Sequence, residues 1–325
     1  MKSCWINVVS GGTTLEFRDI PVPQPKPGEI IVRVHAAALN RGEMIADIGL
    51  LKSGEAKPFG IDAAGVVHAI GEGVSGLKAG DRVMGRGRGA FSEYAVMPAY
   101  QVLPIPERLS WEQAASISLV FSTAYELIFP YGKLEKGHTL LVAGASSGAG
   151  VACVQIAKHV IGATVIGTSG SKDKLAKLKT LGLDVGIETR GANFAAKVKE
   201  ATGGKGANLA INMVGGSVFA ECMRALANQG RLGVVGYVDG VVKSEIDLEL
   251  LHANRLQVFS VSNKNVTPAQ RAEVTRNFTR DVMPAFADGR IVPVIDKVFS
   301  FDELPAAKSY MESNAQLGKI VVRVA

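Results

Sequence analysis

The 325-residue chain is 47% hydrophobic and 20% charged, which supplies buried core for about two domains and excludes a disordered or fibrous protein. Its 36 basic and 30 acidic residues leave +6, but the signs alternate without a block of like charge. That argues against nucleic acid as a partner and suits a modestly basic protein that handles a polyanion.

Cys4, Cys153 and Cys222 are odd in number, widely spaced and outside any CxxC, so neither a disulfide framework nor a cysteine-rich zinc site is expected, and the setting is expected to be reducing and cytoplasmic. No run of about 18 uncharged apolar residues occurs, so no membrane span is expected. The first hundred residues read as short extended segments, Ile30 to Ala37, Ala64 to Ile70, Arg82 to Gly85, Ser92 to Val96 and Gln101 to Pro104. Divided by Gly and Pro, they predict an all-β module. Between Pro21 and Gly28 alternate residues are proline and lack an amide hydrogen, which predicts an exposed connection.

From Ser110 the pattern turns helical: Trp111 to Phe129 is largely apolar and opens with Ser110 and Gln113 placed as a capping box. Strands at Thr139 to Ala143, Thr164 to Gly167, Val185 to Ile187, Leu209 to Asn212, Arg231 to Val235 and Leu256 to Val261 then alternate with helices. The helices are Gly148 to Ile161, Lys172 to Leu181, Phe194 to Thr202 and Ser217 to Leu226. Apolar strands separated by helices predict a doubly wound parallel sheet covered on both faces, an α/β domain. A helix from Pro268 to Asp288 and segments at Val292 to Ser300, Leu304 to Ser313 and Lys319 to Val324 hold too little core to stand alone. The tail is therefore expected to return to the β module, giving one domain of residues 1–120 and 264–325 around an inserted domain of 121–263.

Leu140 to Val151 reads as a buried strand, a turn of small residues from Gly144 to Ser147, and a helix start at Gly148. Small residues let backbone approach a diphosphate, and the free amides and dipole of a helix start favour its charge. Ser147, Gly148, Ala149 and Gly150 are the candidates. Because Ala145 and Ser147 stand where a strict fingerprint has glycine, a tight turn without a ligand is the competing reading. Past the next strand, where an acid would hold the ribose of NAD, the chain has Thr168-Ser169-Gly170-Ser171-Lys172-Asp173-Lys174. A carboxylate there would repel a 2′-phosphate, whereas Ser169, Lys172 and Lys174 attract it, which favours NADPH. Ser171 also reads as a helix N-cap, and both readings can hold.

With these turns, the stretches Gly60 to Val67, Gly71 to Val74, Gly80 to Val83, Ser122 to Tyr125, Thr202 to Gly206, Val214 to Gly216, Gly230 to Leu232 and Gly318 to Val321 make the chain resemble a known family. It is similar to the zinc-independent medium-chain dehydrogenase/reductase superfamily, in its quinone oxidoreductase group. The resemblance implies a Rossmann doubly wound parallel sheet inserted into a GroES-like mostly-β domain, an active-site cleft between the domains, and a homodimer. Zinc-dependent relatives carry a ligating cysteine near Asn40, Gly-His-Glu where this chain has Gly60-Ile61-Asp62, and a four-cysteine lobe missing here. Tetrahedral zinc needs thiolate or imidazole ligands, so no metal is expected.

By the same resemblance Asn40 and Thr123 lie near the nicotinamide as candidate catalytic residues. Asn40 would hydrogen-bond cofactor or substrate oxygen; a turn-forming asparagine is the plainer alternative, as a helix-packing threonine is for Thr123. Val214 and Gly215 would border the adenine ribose, and Gly236 and Val261 the nicotinamide end. A tyrosine that holds the 2′-phosphate in familiar quinone oxidoreductases is Thr189 here, an arginine is Asn314, and two cleft tyrosines are Ile45 and Leu51. The substrate is therefore not inherited.

Without a Lewis acid to stabilise an alkoxide, hydride transfer to a quinone or an activated carbon–carbon double bond is the expected chemistry, since there the charge delocalises. The expected activity is NADPH-dependent reduction of quinones or α,β-unsaturated carbonyls across the interdomain cleft. Two alternatives stand beside it. One is an NADPH-binding protein with little turnover, as in relatives that serve as lens crystallins or bind RNA. The other is an enoyl-CoA-type reductase that greets CoA phosphates with Arg86 and Arg88.

Overall fold

The computed structural model describes residues 1–9, 12–45 and 56–324. They form two compact units, one of Met1–Ser122, Asn263–Met283 and Val292–Ala325, the other of Thr123–Ser262 and Pro284–Ile291. The first unit supplies β1 (Lys2–Val9), β2 (Gly12–Asp19), β3 (Glu29–Ala38), β4 (Lys57–Pro58), β5 (Asp62–Ile70), β6 (Arg82–Arg86), β7 (Tyr94–Pro98) and β8 (Val102–Pro104). The second supplies β9 (Thr139–Ala143), β10 (Thr164–Ser169), β11 (Val185–Glu188), β12 (Ala207–Asn212), β13 (Leu226–Val234) and β14 (Gln257–Ser260). The chain then returns to the first unit with β15 (Ile295–Ser300) and β16 (Lys319–Arg323).

In the first unit β2-β1-β4 form a small antiparallel sheet, and a seven-stranded sheet runs β15-β16-β3-β5-β6-β8 with β7 also on β3. The tail completes this sheet: Val321, Val322 and Arg323 pair antiparallel with Ala38, Ala37 and Ala36. Seven of the ten residues of β3 are apolar and buried, because as a central strand both its faces are largely covered. Ile30, Val32, Val34, Leu39, Phe59, Phe91, Ile320 and Val322 meet in one core.

The second unit is a parallel sheet of order β11-β10-β9-β12-β13-β14, a Rossmann-type doubly wound arrangement. Leu140, Leu141, Val142 and Ala143 of β9 are fully buried at its centre. The strand order reverses beside β9, and ligands in such sheets bind past the carboxyl ends of the strands at that reversal.

Several elements depart from the sequence expectation. The hairpin β1–β2 was not read, because Gly12–Asp19 is largely polar and half-exposed. The Trp111 to Phe129 helix is two, Trp111–Ala115 and Ser118–Ile128, the first opened by the Ser110/Gln113 capping box. Pro268 to Asp288 also divides, into Pro268–Asp281 and Met283–Ala287, since Pro284 has no amide hydrogen to continue the ladder. Leu226 begins β13 instead of closing a helix, and a further helix spans Leu248–Ala253. Pro284–Ile291 belongs to the second unit, where Arg290 Nη1 donates to the His159 carbonyl at 3.0 Å. Among the described residues no helix is long and apolar enough to cross a membrane.

Candidate functional site

The turn after β9 starts at Gly144, whose φ of 83° is one that favours glycine. Gly144 N–H donates to Thr168 Oγ1 at 3.1 Å and Ala145 N–H to the Thr168 carbonyl at 2.9 Å, which ties the turn to the end of β10. Ser147 caps the helix Gly148–Ile156. Its hydroxyl donates to the Gly144 carbonyl at 3.0 Å and accepts from Gly150 N–H at 3.1 Å. The Ser147 hydroxyl hydrogen and the amide of Gly150, one of the three amides expected to face a diphosphate, are thus engaged inside the turn. Gly148 and Ala149, half-exposed at the same helix start, keep theirs. Gly150 is needed for another reason: a Cβ there would stand 2.7 Å from the carbonyl oxygens of Gly144 and Ala145, so only glycine lets the helix sit this close to the turn.

Past β10, Ser169 is buried and lies 3.4 Å, Oγ to Oγ, from Ser146. Ser171 caps the helix Lys172–Lys179, as expected. Lys172 is exposed, with Nζ 3.8 Å from Glu188 Oε2, a loose pair across the ends of β10 and β11. Thr189 does not reach outward. Its Oγ1 contacts the Gly191 carbonyl and Asn193 Oδ1, at 3.1 and 2.5 Å, and accepts from Gly191 N–H at 3.0 Å. The hydroxyl of Thr189, a cofactor-binding candidate at the position of the family's tyrosine, shapes its own turn. Beside it, the side chain of exposed Arg190 lies over Gly170, with Cγ 2.6 Å and Nε 2.8 Å from where a Cβ on Gly170 would be. The sequence reading stopped at Thr189 and missed this arginine, although a basic residue just beyond a strand end, level with Ser169, was the available signal.

Past β12, the Asn212 side chain accepts from Val214 and Gly215 N–H at 2.9 and 3.0 Å and donates to the Gly215 carbonyl at 2.8 Å. Gly215, at φ 136°, has the Asp239 carboxylate where a side chain would begin. Asp239 accepts from Ser217 N–H at 3.0 Å and Val241 N–H at 2.9 Å. Asn212 and Asp239, neither singled out in sequence, therefore hold the loop that carries Val214 and Gly215. Gly236 follows β13, where a Cβ would stand 2.9 Å from the Met213 carbonyl oxygen, and Val261 N–H donates to Val234 O past β14. The unit thus brings Gly148, Ala149, Ser169, Lys172, Lys174, Arg190, Val214, Gly215, Gly236 and Val261 to the carboxyl ends of its strands. A cavity of about 550 Å³ lined by His138, Thr139, Lys205 and Asn208 lies at the opposite ends of β9 and β12.

In the first unit Asn40 ends the segment after β3 and joins a buried ion cluster. Its Nδ2 donates to Glu43 Oε1 at 2.6 Å and Asp62 Oδ2 at 3.1 Å, and its Oδ1 accepts from Lys319 Nζ at 2.5 Å. Lys319 also donates to the Leu39 carbonyl at 2.8 Å, and its Nζ lies 3.7 Å from Asp62 Oδ2. The other Asp62 oxygen accepts from Leu119 N–H at 3.1 Å, at the start of the helix Ser118–Ile128 that carries buried Thr123. Burial pushes the Glu43 carboxyl up to about 8, with the Asp62 charge adding to it. Burial likewise raises Asp62 and lowers Lys319, each opposed by the charge of the other.

Of the arginines considered for a CoA group, Arg88 pairs with Glu29 at 3.0 Å and Arg86, in β6, donates to Asn263 Oδ1 at 2.5 Å. Ile45 is half-buried, and Leu51 lies outside the described residues. Among the described residues no group of three His, Cys, Asp or Glu is placed to hold a metal ion.

Two family models match the chain, an alcohol dehydrogenase GroES-like domain over residues 26–107 and a zinc-binding dehydrogenase over 148–279. The synaptic vesicle membrane protein VAT-1 homolog of Homo sapiens is 31% identical over 324 residues, covering 95% of this chain and 82% of that protein. A highly reducing polyketide synthase of Alternaria alternata is 29% identical over 96% of this chain, which spans only 12% of that protein's length. A mycobacterial protein solved in complex with NADPH superposes with a TM-score of 0.90 at 26% identity, over 99% of this chain and 100% of that one. A mycobacterial quinone oxidoreductase superposes at 0.86 and 26% identity, over 99% of each chain.

Proposed function

The chain belongs to the medium-chain dehydrogenase/reductase superfamily, and on that premise we propose that it is an NADPH-dependent reductase of quinones or α,β-unsaturated carbonyls. The observation that carries this reading is the end of β10, where buried Ser169 and the Arg190 side chain over Gly170 put a hydroxyl and a cation at the place a carboxylate would occupy in an NADH enzyme. Similarity to an NADPH complex supports the cofactor, and similarity to a quinone oxidoreductase supports the substrate class.

Bound NADPH would supply the hydride. Gly148 and Ala149 would give their N–H groups, with the start of the helix Gly148–Ile156, to its diphosphate. Ser169, Lys174 and Arg190 would hold the 2′-phosphate, with exposed Lys172 in reserve, and Gly236 and Val261 would frame the nicotinamide end. Asn40 and Thr123 are the residues assigned to the reacting end. The zinc named in the matching family model does not fit the residues around Asn40. A buried ammonium already stands 2.5 Å from Asn40 Oδ1, Ile61 offers no donor atom, and no thiolate or imidazole is present. Electrostatic stabilisation by a metal is thus replaced by substrates whose charge delocalises, and protonation of the product falls to water.

Nothing favours the CoA alternative, since Arg86 and Arg88 are engaged with Asn263 and Glu29. A homodimer is part of the reading: β14 is one of the two edges of its sheet, with Val258 exposed there and Tyr237, Val242, Ile246 and Leu248 exposed in the preceding segment. Sedimentation should give twice the chain mass, and Val258→Lys should shift it to one. A cytoplasmic setting accords with three free, buried cysteines. The activity is tested by loss of the near-ultraviolet absorbance of NADPH on adding a quinone or an enone. Consumption that depends on the acceptor is expected, whereas tight binding without turnover across a broad panel would sink the reading.

A further inference from the structure

Asn40 is surrounded by three ionisable side chains, and each constrains its amide. Lys319 Nζ, a donor only, faces one end of the carboxamide at 2.5 Å; the Glu43 and Asp62 carboxyls face the other at 2.6 and 3.1 Å. Turning the amide over would set NH2 against an ammonium and a carbonyl oxygen against two carboxyls. Three hydrogen bonds would be lost where Asn40, Glu43, Asp62 and Lys319 are all at most 7% exposed. The oxygen and nitrogen are therefore assigned by their neighbours' chemistry. Both amide hydrogens are spent, and Oδ1 keeps one lone pair.

We propose that Lys319 and Glu43 are positioning residues that lock the Asn40 carboxamide so that it can accept, and never donate, a hydrogen bond from a bound ligand. The proposal rests on the reductase reading and deepens it. Asn40 then meets an N–H or O–H of its ligand, such as a carboxamide nitrogen or a hydroxyl. It does not stabilise the oxygen of a quinone or enone as that oxygen takes up charge, a task left to other donors.

The lock has one titrating member near neutral pH. The charges of Asp62, Lys319 and Arg86 all act on Glu43, and burial holds it protonated to about pH 8. Neutral Glu43 accepts from Asn40 and leaves the ammonium to Asn40 and Asp62. Ionised Glu43 competes for that ammonium and loosens the contact to Oδ1.

The test compares pH profiles of NADPH turnover with a quinone or enone acceptor. Wild type should lose kcat/KM on the alkaline side as Glu43 ionises. Glu43→Ala should lower kcat/KM about tenfold at neutral pH, the effect of one hydrogen bond. Glu43→Gln should restore most of it and abolish the alkaline limb. A Glu43→Gln profile that superposes on wild type, limb included, overturns the proposal. Lys319→Arg should outperform Lys319→Met, which serves only if it folds. Slow-exchanging side-chain amide protons of Asn40, assigned by their absence from Asn40→Leu, provide a readout without turnover. If wild type turns over no acceptor, the reductase reading fails alone, and fast exchange of those protons would overturn the lock as well.

Discussion

Arg190 lies across Gly170, with its Nε and Cζ 2.8 Å from the point where a β-carbon would stand. Arg190→Ala should weaken NADPH binding by about 10- to 100-fold, the worth of a charge-assisted bond to phosphate, and NADH by little. Thr189→Val should leave the ratio of the two affinities nearly unchanged, because that hydroxyl is committed to its own turn. Fluorescence titration with each coenzyme checks both; equal losses for NADPH and NADH in Arg190→Ala would remove the phosphate role.

Gly150→Ala should cost about 1–3 kcal/mol, the usual range for forcing a methyl into a packed site, because its Cβ would meet two carbonyl oxygens at 2.7 Å. The helix start must then back away from the turn, so binding of both coenzymes should fall together. Thermal unfolding and titration in parallel measure the two effects.

Lys319→Met should destabilise the protein by about 3–5 kcal/mol, because it strands the buried Asp62 carboxylate. Asp62→Asn combined with Lys319→Met should recover a large part of that loss, giving strong coupling between the sites. Denaturant titration of the two single variants and the double variant decides it, and additive losses would mean the pair is not a unit.

The pH dependence of stability has a defined sign. Glu43 is raised to about 8 in the folded protein, while an unfolded glutamate titrates near about 4.3. In that window the folded state binds the extra proton, so the contribution of Glu43 is complete below it and is lost as pH rises through it. Asp62, raised by burial, acts in the same direction; Lys319, lowered by burial, acts oppositely. Melting temperatures of wild type should therefore decline toward pH 8 more steeply than those of Glu43→Gln, and parallel curves would refute the assignment.

The parallel sheet was legible in sequence because strands buried on both faces are written as unbroken apolar runs, such as Thr139–Ala143. The turn from Gly144 to Ser147 was legible for a similar local reason: strand, small residues and cap are contiguous. What stayed hidden depends on partners distant in the chain. Asp62 and Lys319 lie 22 and 279 residues from Asn40, and no periodicity joins them. The inward commitments of Thr189 and Gly150 were equally invisible, since an unspent hydroxyl or amide and a spent one look alike in a sequence. The break at Ser116–Ile117 escaped because both sides carry helical patterns.

Strands β9 to β14 follow one another along the chain, whereas β3 acquires its neighbour β16 from residues 319–323. A chain emerging from the ribosome can therefore shape the nucleotide-type sheet while the Ala36–Ala38 end of β3 still lacks a mate. Until β16 docks, the acids Glu43 and Asp62 lack the ammonium of Lys319. That docking closes a long loop and should be slow, so the ion cluster forms only once Lys319 is brought back to Asn40 across 279 residues of chain.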